Sequence, residues 1–263
     1  MRHACILAAL TVGLSVSAVP QGAPVQPQET SREALAFEVA TIKPNGSGGG
    51  GSSTDSTNGL LRITNQTLRN LIQYAYNVRD FQISGGPSWM GSDRYDVAAK
   101  PENPAHDQQM KQMLQTLLSD RFQLRFHRET REGAGFALVV GKNGSRLQPA
   151  GESNSSGITS GRNSSTGLLT LSGKRASLDE IAANLAARLE RPVFNKTGLA
   201  GKFDFELSWV QDLTPSGAGV PSPSVSGPSL VTAVQEQLGL RLESQKGPVE
   251  ILVIDQVSRP REN

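Results

Sequence analysis

At 263 residues, with 37% hydrophobic and 19% charged side chains, the chain has ordinary globular composition and enough length for one large or two small domains. Its formal net charge is +2, with Lys and Arg scattered along the sequence and not gathered in a stripe, which argues against a nucleic-acid partner. The single cysteine, Cys5, sits in the first apolar run, so a chain that has lost that run can form no disulfide, thiolate nucleophile or cysteine–zinc site.

Residues 1–18 read as a cleavable secretory signal. Arg2 and His3 open it, and Ala4 to Ala18 is free of charge and rich in Ala, Leu, Ile and Val. That run is shorter than the roughly 20 residues needed to span a bilayer. Val16-Ser17-Ala18 supplies the small side chains a signal peptidase reads, with Pro20 just beyond. Cys5 lies near the start of the run and not at its end, unlike a lipoprotein cysteine. Residues 19–34, with Pro20, Pro24 and Pro27, suit a disordered leader. The expectation is an exported protein, periplasmic or extracellular, with no transmembrane segment in the mature chain.

The first mature element expected is a strand at Phe37–Ile42, followed by a flexible Gly-rich loop over 45–59. Its Gly48–Gly51 run lacks the Gly-Lys-Ser/Thr of a phosphate-binding loop. From Gly59 the pattern becomes regular, and it then repeats. Gly59-Leu60-Leu61-Arg62-Ile63-Thr64 recurs as Gly167-Leu168-Leu169-Thr170-Leu171-Ser172. Thr67 then precedes a helical stripe of Leu68, Leu71, Ile72 and Ala75. Ser177 likewise precedes Leu178, Ile181, Ala182 and Leu185, and its spacing from Glu180 is that of a capping box. Short apolar segments follow at Phe81–Ile83 and Pro192–Phe194. Next come strands that open with a base, an aromatic and an aspartate: Arg94-Tyr95-Asp96 and Lys202-Phe203-Asp204.

Met110, Met113, Leu114, Leu117 and Leu118 predict a second helix. Leu230, Ala233, Val234 and Leu238 predict its counterpart, started by Ser229 and stopped by Gly239. Each runs into an alternating strand, a turn (Glu132-Gly133; Lys246-Gly247-Pro248) and a closing apolar strand (Phe136–Val140; Val249–Ile254). The predicted fold is therefore α+β by internal duplication. Two tandem units, each with a small sheet and two helices, read strand–helix–strand–strand–helix–strand–strand. The first copy spans 35–150 and the second 167–263. Residues 151–166 read as a Ser/Gly linker, and 214–228 as a flexible Pro/Ser/Gly loop inside the second copy.

No residue set has the spacing of a catalytic, cofactor or metal site, so none is assigned. His106 precedes a predicted helix, and His127 stands on the solvent side of an alternating strand without a second histidine at helical spacing. No serine lies in a Gly-x-Ser-x-Gly elbow. Asp96 and Asp204 are the one candidate pair: carboxylates at equivalent positions could do acid–base work if brought together. Their repetition is more simply structural, as helix caps or as partners of Arg94 and Lys202. Trp89 and Trp209 could be ligand platforms, though core packing is the commoner fate of a tryptophan.

The segments Phe37-Glu38-Val39-Ala40-Thr41-Ile42-Lys43-Pro44, Gly85-Gly86-Pro87-Ser88-Trp89, Leu117-Leu118-Ser119-Asp120-Arg121-Phe122 and Asn195-Lys196-Thr197-Gly198-Leu199-Ala200-Gly201 carry a likeness. They resemble a soil-associated family of exported proteins of unknown function, expanded mainly in Acidobacteria. That resemblance implies no assigned activity. Each half also resembles the short N-terminal domain of secretins and TonB-dependent receptors, on Leu238-Gly239-Leu240 and Ile251–Ile254 above all. The first half departs from that ending at Ser119-Asp120-Arg121. The favoured expectation is a non-catalytic extracytoplasmic binding or interaction module whose partner is an envelope protein or cell-surface component. The alternative is a periplasmic hydrolase using Asp96 and Asp204. Oligomeric state stays open.

Overall fold

A computed structural model describes residues 35–46, 51–57, 59–152, 155–210 and 226–260. The predicted signal and leader, Cys5, and most of the 214–228 loop lie outside the described residues. Four helices form where apolar residues recur at helical spacing: Leu68–Tyr76 (α1), Asp107–Phe122 (α2), Leu178–Leu189 (α3) and Leu230–Leu238 (α4). The predicted caps start three of them. Thr67 Oγ1 accepts from Asn70 N, Ser177 Oγ from Glu180 N and Ser229 Oγ from Thr232 N, each at 3.2 Å. Glu180 closes its capping box by accepting from Ser177 N at 2.7 Å. Gly239 ends α4 at φ +65°, and a Cβ there would stand 2.3 Å from the Gly144 carbonyl oxygen.

The strands are Val39–Pro44 (β1), Ser53–Thr57 (β2), Leu60–Thr67 (β3), Ile83–Gly85 (β4), Arg94–Lys100 (β5) and Arg125–Val140 (β6). They continue with Gln148–Pro149 (β7), Gly157–Arg162 (β8), Leu169–Ala176 (β9), Val193–Asn195 (β10), Phe203–Trp209 (β11) and Leu240–Gln256 (β12). Two antiparallel sheets run β1-β5-β3-β2 and β7-β11-β9-β8; a third, mixed sheet runs β10-β6-β12-β4, with β10 and β4 parallel to their neighbours. The chain is thus a mixed α+β protein of four helices and three four-stranded sheets among the described residues.

Two expectations are corrected. The stretches read as wholly flexible contain β2 and β8, both exposed along most of their length. They are held by main-chain pairing to β3 and β9, which needs no apolar side chains. The predicted turns at Glu132-Gly133 and Lys246-Gly247-Pro248 are not turns. Each lies inside one unbroken strand, β6 or β12, and Gly133 faces Gly247 near the middle of the antiparallel ladder joining the two. Local turn chemistry loses because this pairing lets both strands satisfy their backbone along their whole length while serving two cores. Pro248 is tolerated because β4 reaches only Leu252–Ile254, so β12 has one neighbour at the proline.

The cores show what the long ladder does. One gathers Leu61, Leu71, Met110, Leu118 and Phe122 from the first half with Leu252 and Ile254 from the far end of β12. The other gathers Leu171, Ile181, Leu207, Val234 and Leu240 from the second half with Leu138 from the far end of β6. Each long strand thus leaves its own half and completes the other. The segments beyond them follow suit. Arg146 N donates to the C-terminal carbonyl of Leu238 in α4 at 2.8 Å, and Ser258 N to that of Phe122 in α2 at 2.7 Å.

Candidate functional site

The predicted carboxylate pair is not brought together: Asp96 lies in the β1-β5-β3-β2 sheet and Asp204 in the β7-β11-β9-β8 sheet. Each clasps a β-bulge. The β3–β5 register slips between Ile63 and Gln66, and the β9–β11 register between Phe203 and Phe205. Within the extra residues, Asn65 has φ 55° and Arg175 φ 49°. A left-handed residue turns its N–H out of the ladder, and the aspartate supplies the missing acceptor. Asn65 N donates to Asp96 Oδ1 at 2.8 Å, and Arg175 N to Asp204 Oδ1 at 2.9 Å.

The flanking bases do not pair as expected. Arg94 donates to the Asn65 carbonyl at 2.8 Å, Lys202 reaches Glu180 at 3.1 Å, and Asp204 takes Lys174 at 2.9 Å. Asn45 Nδ2 adds a second donor to Asp96 at 2.8 Å. The Arg175 N–H, then Lys174, hold the Asp204 carboxyl below its ordinary value. A carboxylate stabilised in its charged form this way is a poor proton acceptor.

The histidines are engaged as well. His106 N donates to Gln109 Oε1 at 3.0 Å, at the start of α2. His127 is exposed on β6, with Nδ1 2.7 Å from Asp255 and Nε2 2.9 Å from Glu129. Those bonds, Glu129's first, raise its pKa. When protonated, the ring donates to both carboxylates and offers no lone pair for base or metal chemistry. Among the described residues no group of three or more His, Cys, Asp and Glu is placed to hold a metal, and no helix is long and apolar enough to cross a membrane.

What the second half does present is a cleft of about 840 Å³, opened between β8, β9, the end of α3 and the start of α4. Its apolar wall is Leu169, Trp209, Leu230 and Val231. Trp209 and Leu230 are rooted in the core, while Val231 is 44% exposed. Across the Trp209 ring, 5.6 Å from its centroid, lies the Arg188 guanidinium. Arg188 donates to the Asn184 carbonyl at 2.8 Å and meets no carboxylate among the described residues. Burial, then the positive charge of Arg79, lowers its pKa. Trp89, by contrast, carries Arg259 at 5.1 Å, and that guanidinium is neutralised by Asp93 at 2.8 Å.

Trp209 is therefore both core residue and platform, whereas Arg188 escaped the sequence reading. The signal was present: Arg188 stands three residues after Leu185, where the apolar stripe of α3 should continue.

No curated protein and no solved structure matches the chain. The family described as Protein of unknown function (DUF3738) matches residues 69–257, which take in the elements from α1 through β12 and every residue of the Arg188 cleft. The chain belongs to this DUF3738 family.

Proposed function

We propose that this chain is a non-catalytic binding module that works outside the cytoplasm, in the periplasm or beyond the cell, and engages an envelope protein or cell-surface component. The observation that carries the reading is the 840 Å³ cleft with an arginine that is seated on a tryptophan and meets no carboxylate among the described residues. The rival hydrolase loses support because Asp96 and Asp204 sit in separate sheets and are occupied as bulge acceptors. Duplication belongs to the same proposal. The order β3-α1-β4-β5-α2-β6 returns as β9-α3-β10-β11-α4-β12, and the sheets β1-β5-β3-β2 and β7-β11-β9-β8 match strand for strand. Asn65 and Arg175, the clasped left-handed residues, each stand two positions before an N-cap. In this reading the closing strands of two small units have been exchanged within one chain.

The test is binding of the chain from residue 19 onward to isolated envelope fractions, wild type beside Val231→Glu. Glutamate in the first turn of α4 suits the helix dipole, so the variant should fold while its charge blocks the cleft. Loss of binding at unchanged melting temperature is the expected result. Unchanged binding by Val231→Glu would count against the cleft, and hydrolytic turnover abolished by Asp96→Asn or Asp204→Asn would overturn the non-catalytic reading.

A further inference from the structure

We infer that the Arg188 cleft takes a ligand with one anionic head on an apolar body, of the fatty-acid type; the inference rests on the binding reading above. The head is assigned by charge. Arg188 is half-buried, has no carboxylate partner among the described residues, and has Arg79 as its charged neighbour, which adds repulsion where compensation is needed. Its guanidinium is held over Trp209 by stacking and by the Asn184 carbonyl, so it is oriented before any ligand arrives.

The body is assigned by the wall. Leu169, Trp209, Leu230 and Val231 supply apolar lining in the same cleft as the guanidinium, within a volume in the range of roughly 300–1,000 Å³ usual for small-molecule sites. A single charge is favoured over a di- or polyanion for two reasons. Among the described residues Arg188 is the one basic side chain lining the cleft, and Glu190 lines it too. The cleft also opens at the C-terminal end of α3, whose carbonyls repel further negative charge. A nucleotide, a polyphosphate or a phosphate monoester, the last largely a dianion at neutral pH, therefore fits poorly, and a carboxylate on an alkyl chain fits well.

The experiment uses the chain from residue 19 onward carrying Trp89→Phe, so that Trp209 is the remaining emitter. Its fluorescence is titrated with sodium dodecanoate below the micelle concentration, dodecyl phosphate, dodecanol and acetate. The expected result is saturable binding of dodecanoate, with the largely dianionic dodecyl phosphate weaker and with acetate and dodecanol each weaker by about tenfold or more. Dodecyl phosphate binding more tightly than dodecanoate would overturn the single-charge assignment. Arg188→Gln should weaken dodecanoate by about tenfold or more, to the level of dodecanol, while Arg188→Lys, which keeps the charge but not the stacked planar fork, should fall between Arg188→Gln and wild type. Melting temperatures check that each variant is folded.

Dodecanol binding as tightly as dodecanoate, equal dodecanoate affinity in Arg188→Gln, or absence of saturation would each overturn the assignment. If no amphiphile binds yet Val231→Glu still abolishes binding to envelope fractions, the ligand class is wrong and the binding reading stands. If both tests fail, both readings fall.

Discussion

Leu252→Ala and Leu138→Ala together test the exchanged strands. Leu252 stands late in the sequence, but its side chain, 1% exposed, packs with α1 and α2; Leu138, fully buried, packs with α3 and α4. Each substitution removes three buried carbons, about 2.4 kcal/mol at roughly 0.8 kcal/mol per methylene. The unfilled cavity brings the expected loss to about 3 kcal/mol, inside the usual span of about 2–5 for Leu→Ala. For a domain of this size that corresponds to a fall in melting temperature of roughly 6–12 °C. Urea unfolding measures the loss, and native-state hydrogen exchange localises it. Leu252→Ala should speed amide exchange in α1, α2 and β5, while Leu138→Ala should do so in α3, α4 and β11. If Leu252→Ala instead loosened α3 and α4 and spared α1 and α2, each half would own its closing strand and the exchange would be refuted.

Asp96→Ala removes the acceptor of the buried Asn65 N–H and should cost about 1–3 kcal/mol in urea unfolding, with Asp96→Asn costing less because an amide oxygen can still accept. His127 should titrate above the ordinary value of about 6.5, and Asp255→Asn should lower its midpoint in an NMR titration. Since its folded pKa is the raised one, its contribution to stability is fully present below pH ~6.5 and is lost as pH rises through the folded value. Gly135→Ala would put a Cβ 2.3 Å from the Pro192 carbonyl oxygen, which already accepts from Phe136 N at 2.8 Å. Backbone cannot step aside as a side chain can, so β10 should detach from β6 at a cost of roughly 1–3 kcal/mol, seen as faster exchange at Phe194 and Asn195.

Part of the candidate site was legible in the sequence and part was not. The recurrence of Asp96 and Asp204 suggested helix caps or partners of Arg94 and Lys202, whereas each accepts from a bulge N–H, and those donors were hidden. A bulge is a property of two strands in register, so nothing in Asn65 or Arg175 alone announces a left-handed residue whose N–H needs a carboxylate. Trp209 was visible as an aromatic anchor. Its partner Arg188 lies 21 residues earlier, and only the packing of α3 against β11 sets one over the other.

What the sequence by itself determined is local. Helical stripes and hydroxyl caps placed α1, α3 and α4, alternation placed β5 and β11, and Gly239 ended α4, because each depends on neighbours within a turn or two. Where the chain's closing strands go was decided by tertiary structure alone. Glu132-Gly133 and Lys246-Gly247-Pro248 carry ordinary turn chemistry, and a short hairpin at each was the local solution. The folded chain overrides both turns. Opened out, β6 and β12 pair along their full length and bury Leu138 and Leu252 in cores that their own halves leave incomplete, and the burial of those side chains outweighs a preference that two turn residues can express.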